Sequence, residues 1–227
     1  MTQKTVLIAG ASRGLGLEFA RQYGIAGWTV VAGARTPAKA NELLRVKGVE
    51  VLPLDVLSAN SIAGAAWHAD SEPLDLLIVN AGVLGVRSNG FLAPGDEDFD
   101  TVMRTNVLGP MRLIQAFGDS VAAARGTIAV LSSRMGSIAE TGSSDSILYR
   151  TSKAAANMVV KCASLEYGPK GATVVALHPG WVRTDMGGAG AALEPYDAVA
   201  GMRKVIAGLT ATDNGGFFDY SGKALPW

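Results

Sequence analysis

Short runs of aliphatic and β-branched residues recur along the chain, at Val6 to Ala9, Thr29 to Ala32, Val49 to Leu54, Leu74 to Val79, Thr127 to Leu131 and Thr173 to Leu177. Most are apolar at nearly every position instead of alternating, which is the pattern of strands covered by helices on both faces. Between them lie longer segments with helical periodicity. These predict helices at about Leu15 to Ala26, Pro37 to Lys47, Ser58 to Ala69, Phe99 to Ala124, Tyr149 to Tyr167 and Pro195 to Leu209. Gly109-Pro110 should break or kink the fourth, because proline lacks the N–H that a helix interior needs. A last short strand, Phe217 to Tyr220, ends in the turn pair Ser221-Gly222. Strands alternating with helices imply a doubly wound parallel sheet of about seven strands, an α/β class.

No repeat, charge run or Pro/Gly/Ser linker interrupts this alternation, so residues 1–227 read as one domain. The glycine cluster Gly187-Gly188-Ala189-Gly190 is the best candidate for a mobile loop, within a short substrate-loop segment at about 184–200.

Composition narrows the partners. The 227 residues are 48% hydrophobic, enough for one large core. Lys and Arg balance Asp and Glu at 20 each, which leaves no electrostatic footprint for a nucleic acid or an anionic membrane. A small-molecule partner is expected. The single cysteine, Cys162, allows no internal disulfide and reads as an inert packed thiol, and only His68 and His178 could add imidazole ligands, so no metal is expected. Both histidines read as structural. The apolar run after Met1 to Lys4 is cut by Gly10 and Arg13 and reads as a strand instead of a signal peptide. No apolar stretch approaches the ~18 residues that span a bilayer, and a cytoplasmic location is expected.

Chemistry enters directly after the first strand, where Gly10-Ala11-Ser12-Arg13-Gly14-Leu15-Gly16 opens a helix. Glycines let the backbone bend and approach a phosphate, and free N–H groups at a helix start bind anions. In this setting the turn predicts dinucleotide binding. About 20 residues on, where a carboxylate would bind the ribose of NAD, the chain has Gly33-Ala34-Arg35. Small Ala34 beside Arg35, with Arg13 in the turn, suits a 2′-phosphate. NADP(H) is therefore favoured, with NAD(H) remaining open. Asp55 and Val56 close the third strand, and Asn80-Ala81-Gly82 the fourth, at the strand ends where ligands bind in open α/β sheets. Each could instead be a plain cap or turn.

Tyr149 and Lys153 are four residues apart and share a helix face. A cation beside a phenol favours its ionised form and lowers a pKa that starts near ~10. Such a tyrosine can exchange protons near neutrality.

Together these motifs resemble the short-chain dehydrogenase/reductase family over essentially the full length. The matching positions are Gly10-x3-Gly14-x-Gly16, Asn80-Ala81-Gly82, Asn106, Ser132-Ser133, Tyr149-x3-Lys153 and Pro179-Gly180 with Thr184. The runs around Ser133, Tyr149 and His178, with the ending Pro226-Trp227, look like the C-factor and sniffer-type carbonyl reductase branch. The resemblance implies a single-domain Rossmann-like fold and hydride transfer between a nicotinamide and a ketone or aldehyde. It makes Tyr149 the general acid, or the base for alcohol oxidation, and assigns Lys153 to the nicotinamide ribose. Ser133 would orient the substrate oxygen, Asn106 would hold a water, and Thr184, with Val182, Pro179 and Gly180, would meet the nicotinamide. Ser133 lies sixteen residues before Tyr149, so Gly142 to Ser146 reads as a small insertion, and Ser132 and Ser137 are rival assignments. Met135, Trp181 and Met186 are candidates for an apolar substrate pocket. Two other functions stay open: a nucleotide-binding signalling or scaffold protein with little turnover, and an NAD-dependent alcohol dehydrogenase. By analogy, the family implies a homodimer or homotetramer.

Overall fold

The computed structural model describes residues 3–69 and 73–227; Met1 and Thr2, which open the N-terminal run, lie outside them. Its strands are β1 (Thr5–Ala9), β2 (Thr29–Ala34), β3 (Val49–Pro53), β4 (Leu76–Val79), β5 (Thr127–Leu131), β6 (Thr173–His178) and β7 (Phe217–Asp219). They form one sheet in the order β3-β2-β1-β4-β5-β6-β7. Every pairing is parallel. The order reverses between β1 and β4, so the chain leaves these neighbouring strands in opposite directions and opens a crevice at their carboxyl ends.

The continuous apolar runs are explained by two cores. On one face, Leu7, Val79 and Val130 pack with Ile62 of α3 (Ala59–Ala69), Leu113 and Phe117 of α5 (Gly109–Ala123) and Val160 of α6 (Ile147–Tyr167). On the other, Ile8, Ile78 and Ala129 meet Leu17 and Phe19 of α1 (Gly14–Ile25) and Met202 and Ile206 of α7 (Pro195–Gly208). Fully buried side chains such as Phe19 and Phe117 each contribute roughly 1.5–3 kcal/mol of apolar burial. A single-domain Rossmann-like fold results.

Three expectations are corrected. The helix expected over Pro37 to Lys47 is a 3-10 turn (Pro37–Lys39) and a four-residue α2 (Asn41–Leu44), because Ala40 between them leaves the helical region at φ −86°, ψ 54°. Gly109-Pro110 does not break its helix. α4 (Asp96–Met103) widens into a π segment (Arg104–Leu108) and runs on into α5, Gly109 donating its N–H to the carbonyl of Arg104. The wider turn re-registers the ladder just before the residue that has no N–H to give. Cys162 is exposed, on the outward face of α6 with Met158 and Leu165, and is not a packed thiol.

Candidate active site

The glycine turn is built for close approach. Gly10 adopts φ +87°, and a Cβ there would lie 2.8 Å from Cα of Ala81; at Gly16 it would lie 2.1 Å from the Gly10 carbonyl. Asn80 is part of this construction, its Nδ2 donating to the Gly10 carbonyl at 2.7 Å. The Asn80-Ala81-Gly82 turn thus holds the β1 turn in shape. α1 begins without a side-chain cap at Arg13 and without an acidic residue in its first turn, which leaves its N-terminal donors to an anion. Ser12, Gly14 and Leu15 belong to this turn, and a Cβ on Gly14 would lie 3.4 Å from Cγ2 of Thr184.

Along the crevice, Ala34 ends β2 buried and Arg35 is exposed beside it. Arg13 is not free: its Nη1 donates to Asp185 at 2.8 Å, across from the glycine turn to the loop after β6. Asp55 accepts the Leu57 N–H on Oδ1 at 3.0 Å, a bond that leaves acceptor capacity on the carboxylate. Val56 is buried against Gly109. At the β6 end, Pro179 and Gly180 lead to Val182, which bridges to Leu193, and the Thr184 hydroxyl accepts the Gly187 N–H at 3.3 Å. Thr184 therefore caps its own turn as well as overlying Gly14. The loop ends at Glu194 and α7 starts at Pro195, so the back of the 184–200 segment is helix. Taken together, an uncapped helix start and a glycine cradle, with Arg35 meeting no carboxylate among the described residues, fit a nicotinamide dinucleotide.

The second cluster sits where β4, β5, α5 and α6 converge. Tyr149 and Lys153 occupy the first turns of α6, both buried, with Nζ 5.7 Å from the phenol ring centre. The ammonium donates to the carbonyl of Leu131, the last residue of β5, at 2.8 Å. A Cβ on Gly82 would come within 3.6 Å of Nζ and 3.3 Å of Asn106 Oδ1, so β4, the π segment and α6 meet there. Asn106 spends its amide on scaffolding: Oδ1 accepts from Val83 N at 2.9 Å, and Nδ2 donates to Val83 O at 2.8 Å and Ser152 Oγ at 2.9 Å. The serines separate by environment. Ser132 donates to Asn157 Oδ1 at 2.5 Å and Ser137 to Trp227 O at 3.1 Å, both buried in structural bonds. The Ser133 hydroxyl caps the short turn after β5, accepting the Met135 N–H at 3.2 Å, and alone of the three lies close enough to the Tyr149 phenol to favour its ionisation.

Electrostatics correct the expectation of an acidified phenol. Burial pushes Tyr149 up to about 12, opposed by the Ser133 hydroxyl. Burial also pulls Lys153 down to about 8. Desolvation disfavours both charged forms, and the ammonium is turned toward the Leu131 carbonyl. His178 falls to about 4, through burial first and then the Arg134 charge, against the pull of Asp219.

The rim is the loop after β6. Met186 places its sulfur 3.9 Å from the Tyr149 hydroxyl, while Trp181 is largely exposed and donates Nε1 to Gly187 O at 2.9 Å. Met135 is half-buried just after Ser133. The Gly142 to Ser146 insertion docks on the loop after β4, where Asp145 accepts the Gly90 N–H at 2.6 Å. No motif points to the supporting residues Ser152, Asn157 and Val83, nor to Arg87, which donates to Met186 O at 3.1 Å. A hydroxyl or amide acquires such a role only through tertiary placement.

A dinucleotide crevice beside a buried Tyr/Lys/Ser group defines a nicotinamide-dependent oxidoreductase. Residues 4–192 match the short chain dehydrogenase family, and the chain belongs to it. It is similar to C-signal of Myxococcus xanthus, 45% identical over 167 residues that cover 71% of this chain and 98% of C-signal. Among solved structures, the carbonyl reductase Sniffer of D. melanogaster superimposes with TM-score 0.92 at 27% identity, covering 100% of both chains. An NADPH-bound carbonyl reductase from chicken fatty liver gives 0.90 at 33% identity, again covering 100% of both.

Proposed function

We propose that this protein reduces a ketone or aldehyde to an alcohol with NADPH, using Tyr149, Lys153, Ser133 and Asn106. The observation that carries this reading is a buried Tyr149 with the Lys153 ammonium 5.7 Å from its ring centre, at the inner end of the dinucleotide crevice. Carbonyl reduction needs a proton donor there, and the Tyr149 phenol is the hydroxyl donor that the first turns of α6 place beside Lys153. When bound, the reduced nicotinamide supplies the hydride that reaches the carbonyl carbon. The Tyr149 O–H bond breaks as its proton passes to the carbonyl oxygen. Ser133 donates to the same oxygen and fixes its position. Lys153, released from the Leu131 carbonyl, holds the ribose hydroxyls and favours the phenolate left behind. The side chain of Asn106 is already committed, so a proton-resupplying water would sit on its backbone carbonyl, to which Pro110 offers no N–H.

The glycine turn, Arg35, Asp55, Val56 and Thr184 would hold the dinucleotide, and Met135, Trp181 and Met186 would line the apolar side of the substrate. The likeness to C-signal raises a non-enzymatic reading, which one experiment separates. NADPH oxidation is followed with ketones, aldehydes and quinones for the parent, Tyr149→Phe and Lys153→Ala. Turnover should fall by about 10²–10⁴ in Tyr149→Phe, with NADPH binding retained. A parent that binds NADPH yet reduces none of these carbonyls would favour the signalling reading.

A further inference from the structure

The rim of this site carries a cation that neither the motifs nor the proton chemistry uses. Arg87 lies on the loop after β4 with its side chain exposed. Its Nη2 donates to the backbone carbonyl of Met186 at 3.1 Å, and the sulfur of the same Met186 lies 3.9 Å from the Tyr149 hydroxyl. One methionine therefore spans the distance from phenol to guanidinium.

Three other arginines of the surrounding loops are matched by carboxylates. Arg13 pairs with Asp185 at 2.8 Å, Arg134 with Glu140 at 3.1 Å and Arg183 with Glu194 at 2.5 Å. Among the described residues Arg87 meets no carboxylate within salt-bridge distance, and its one hydrogen-bond partner is a neutral carbonyl. A guanidinium has five N–H donors in a fork that suits a carboxylate. A charge-assisted pair is also roughly twice as strong as the neutral bond it would replace. Beside it, exposed Val86, Trp181 and Met186 offer apolar surface.

We propose that Arg87 recognises a carboxylate on the substrate and selects 4-oxo acids, an inference that rests on the carbonyl-reduction reading above. Met186 supplies the ruler. From its backbone carbonyl carbon the chain runs through Cα, Cβ and Cγ to the sulfur. In a 4-oxo acid, the carboxylate carbon is followed by two carbons, then the oxo carbon and its oxygen. A substrate lying along that span sets its oxo oxygen at Tyr149 and its carboxylate on Arg87. It displaces Met186 from both contacts at once, and Gly188, at φ +77° with open space where a Cβ would stand, is where the loop can yield. A 2-oxo acid is too short to reach both groups, and a 6-oxo acid too long.

The test measures kcat/KM with NADPH for 4-oxopentanoate, its methyl ester, 2-oxopentanoate and 6-oxoheptanoate in the parent, Arg87→Gln and Arg87→Lys. The parent should prefer 4-oxopentanoate over its ester by about tenfold or more, mainly through KM, and over the shorter and longer acids. In Arg87→Gln the acid-to-ester ratio should fall to near one, and Arg87→Lys should retain part of it. Comparing ratios within each variant removes any general loss of folding. An unchanged ratio in Arg87→Gln, or a parent that prefers the ester, overturns the proposal. If no carbonyl is turned over, calorimetric binding of 4-oxopentanoate decides alone. Weaker binding to Arg87→Gln keeps the carboxylate site while the reductase reading fails, and equal binding to both removes the site.

Discussion

At the scale of single residues, Tyr149 and Lys153 are driven toward neutrality by burial, the phenol to about 12 and the ammonium to about 8. Lys153 ordinarily titrates at 10.5, so between about 8 and 10.5 the unfolded chain binds a proton that the folded one does not. Stability attributable to Lys153 therefore rises with pH across that window, and below it the buried ammonium is a cost. Tyr149 acts above pH 10, where the unfolded phenol ionises first and stability falls. Lys153→Met should accordingly stabilise the protein at pH 7 by about 2 kcal/mol while abolishing carbonyl reduction. The gain should shrink by pH 10. Urea unfolding at the two pH values checks both statements, and a variant less stable at pH 7 would mean that the bond to Leu131 outweighs the desolvation. The spacing of Tyr149 and Lys153 was legible in the sequence because a helix fixes it. The direction of the ammonium was not, since it depends on a carbonyl of a different strand.

At the scale of elements, the strands were legible to within about two residues because burial on both faces demands unbroken apolar runs. The Asp96 to Ala123 stretch was legible as helix, and Gly109-Pro110 as a point of irregularity that takes the form of a π widening and not of a break. A proline forbids one hydrogen bond, and the chain can meet that by breaking or by widening; the choice is made by what packs nearby. Here Gly109 sits against Val56, and Thr105, Asn106 and Val107 are buried, so the widened segment is held on several sides. The π turn sets Asn106 against Val83 and Ser152. Pro110→Ala returns an N–H to the carbonyl of Asn106 and favours ordinary helical register there. Thermal stability should hold or rise, while kcat for carbonyl reduction falls by about tenfold as the backbone carbonyl is withdrawn from water. Melting temperature measured beside kcat separates this from simple damage, which would lower both.

At the scale of the whole molecule, the crevice runs from the end of β2 to the loop after β6, so cofactor choice depends on residues far apart in sequence. Arg13 and Arg35 both resemble 2′-phosphate ligands in the sequence, but their situations differ. Arg13 is tied to Asp185 by an ion pair whose side chains are 75% and 77% exposed. Such a pair is worth under ~1 kcal/mol and exchanges readily, so Arg13 can be shared between the loop and a phosphate. Arg35 is exposed and meets no carboxylate among the described residues, so under the NADPH reading proposed above the burden of discrimination would fall on it. Arg35→Asp removes the matching charge and sets a carboxylate where it can accept from a ribose hydroxyl. It should lower kcat/KM for NADPH by about 10–100-fold and leave NADH unchanged or improved. Arg13→Gln should have the smaller effect. The ratio of kcat/KM for the two cofactors, with dissociation constants from nucleotide fluorescence, measures this directly. If both Arg35→Asp and Arg13→Gln leave the ratio where it was, neither arginine reads the phosphate and the NAD-dependent reading takes its place.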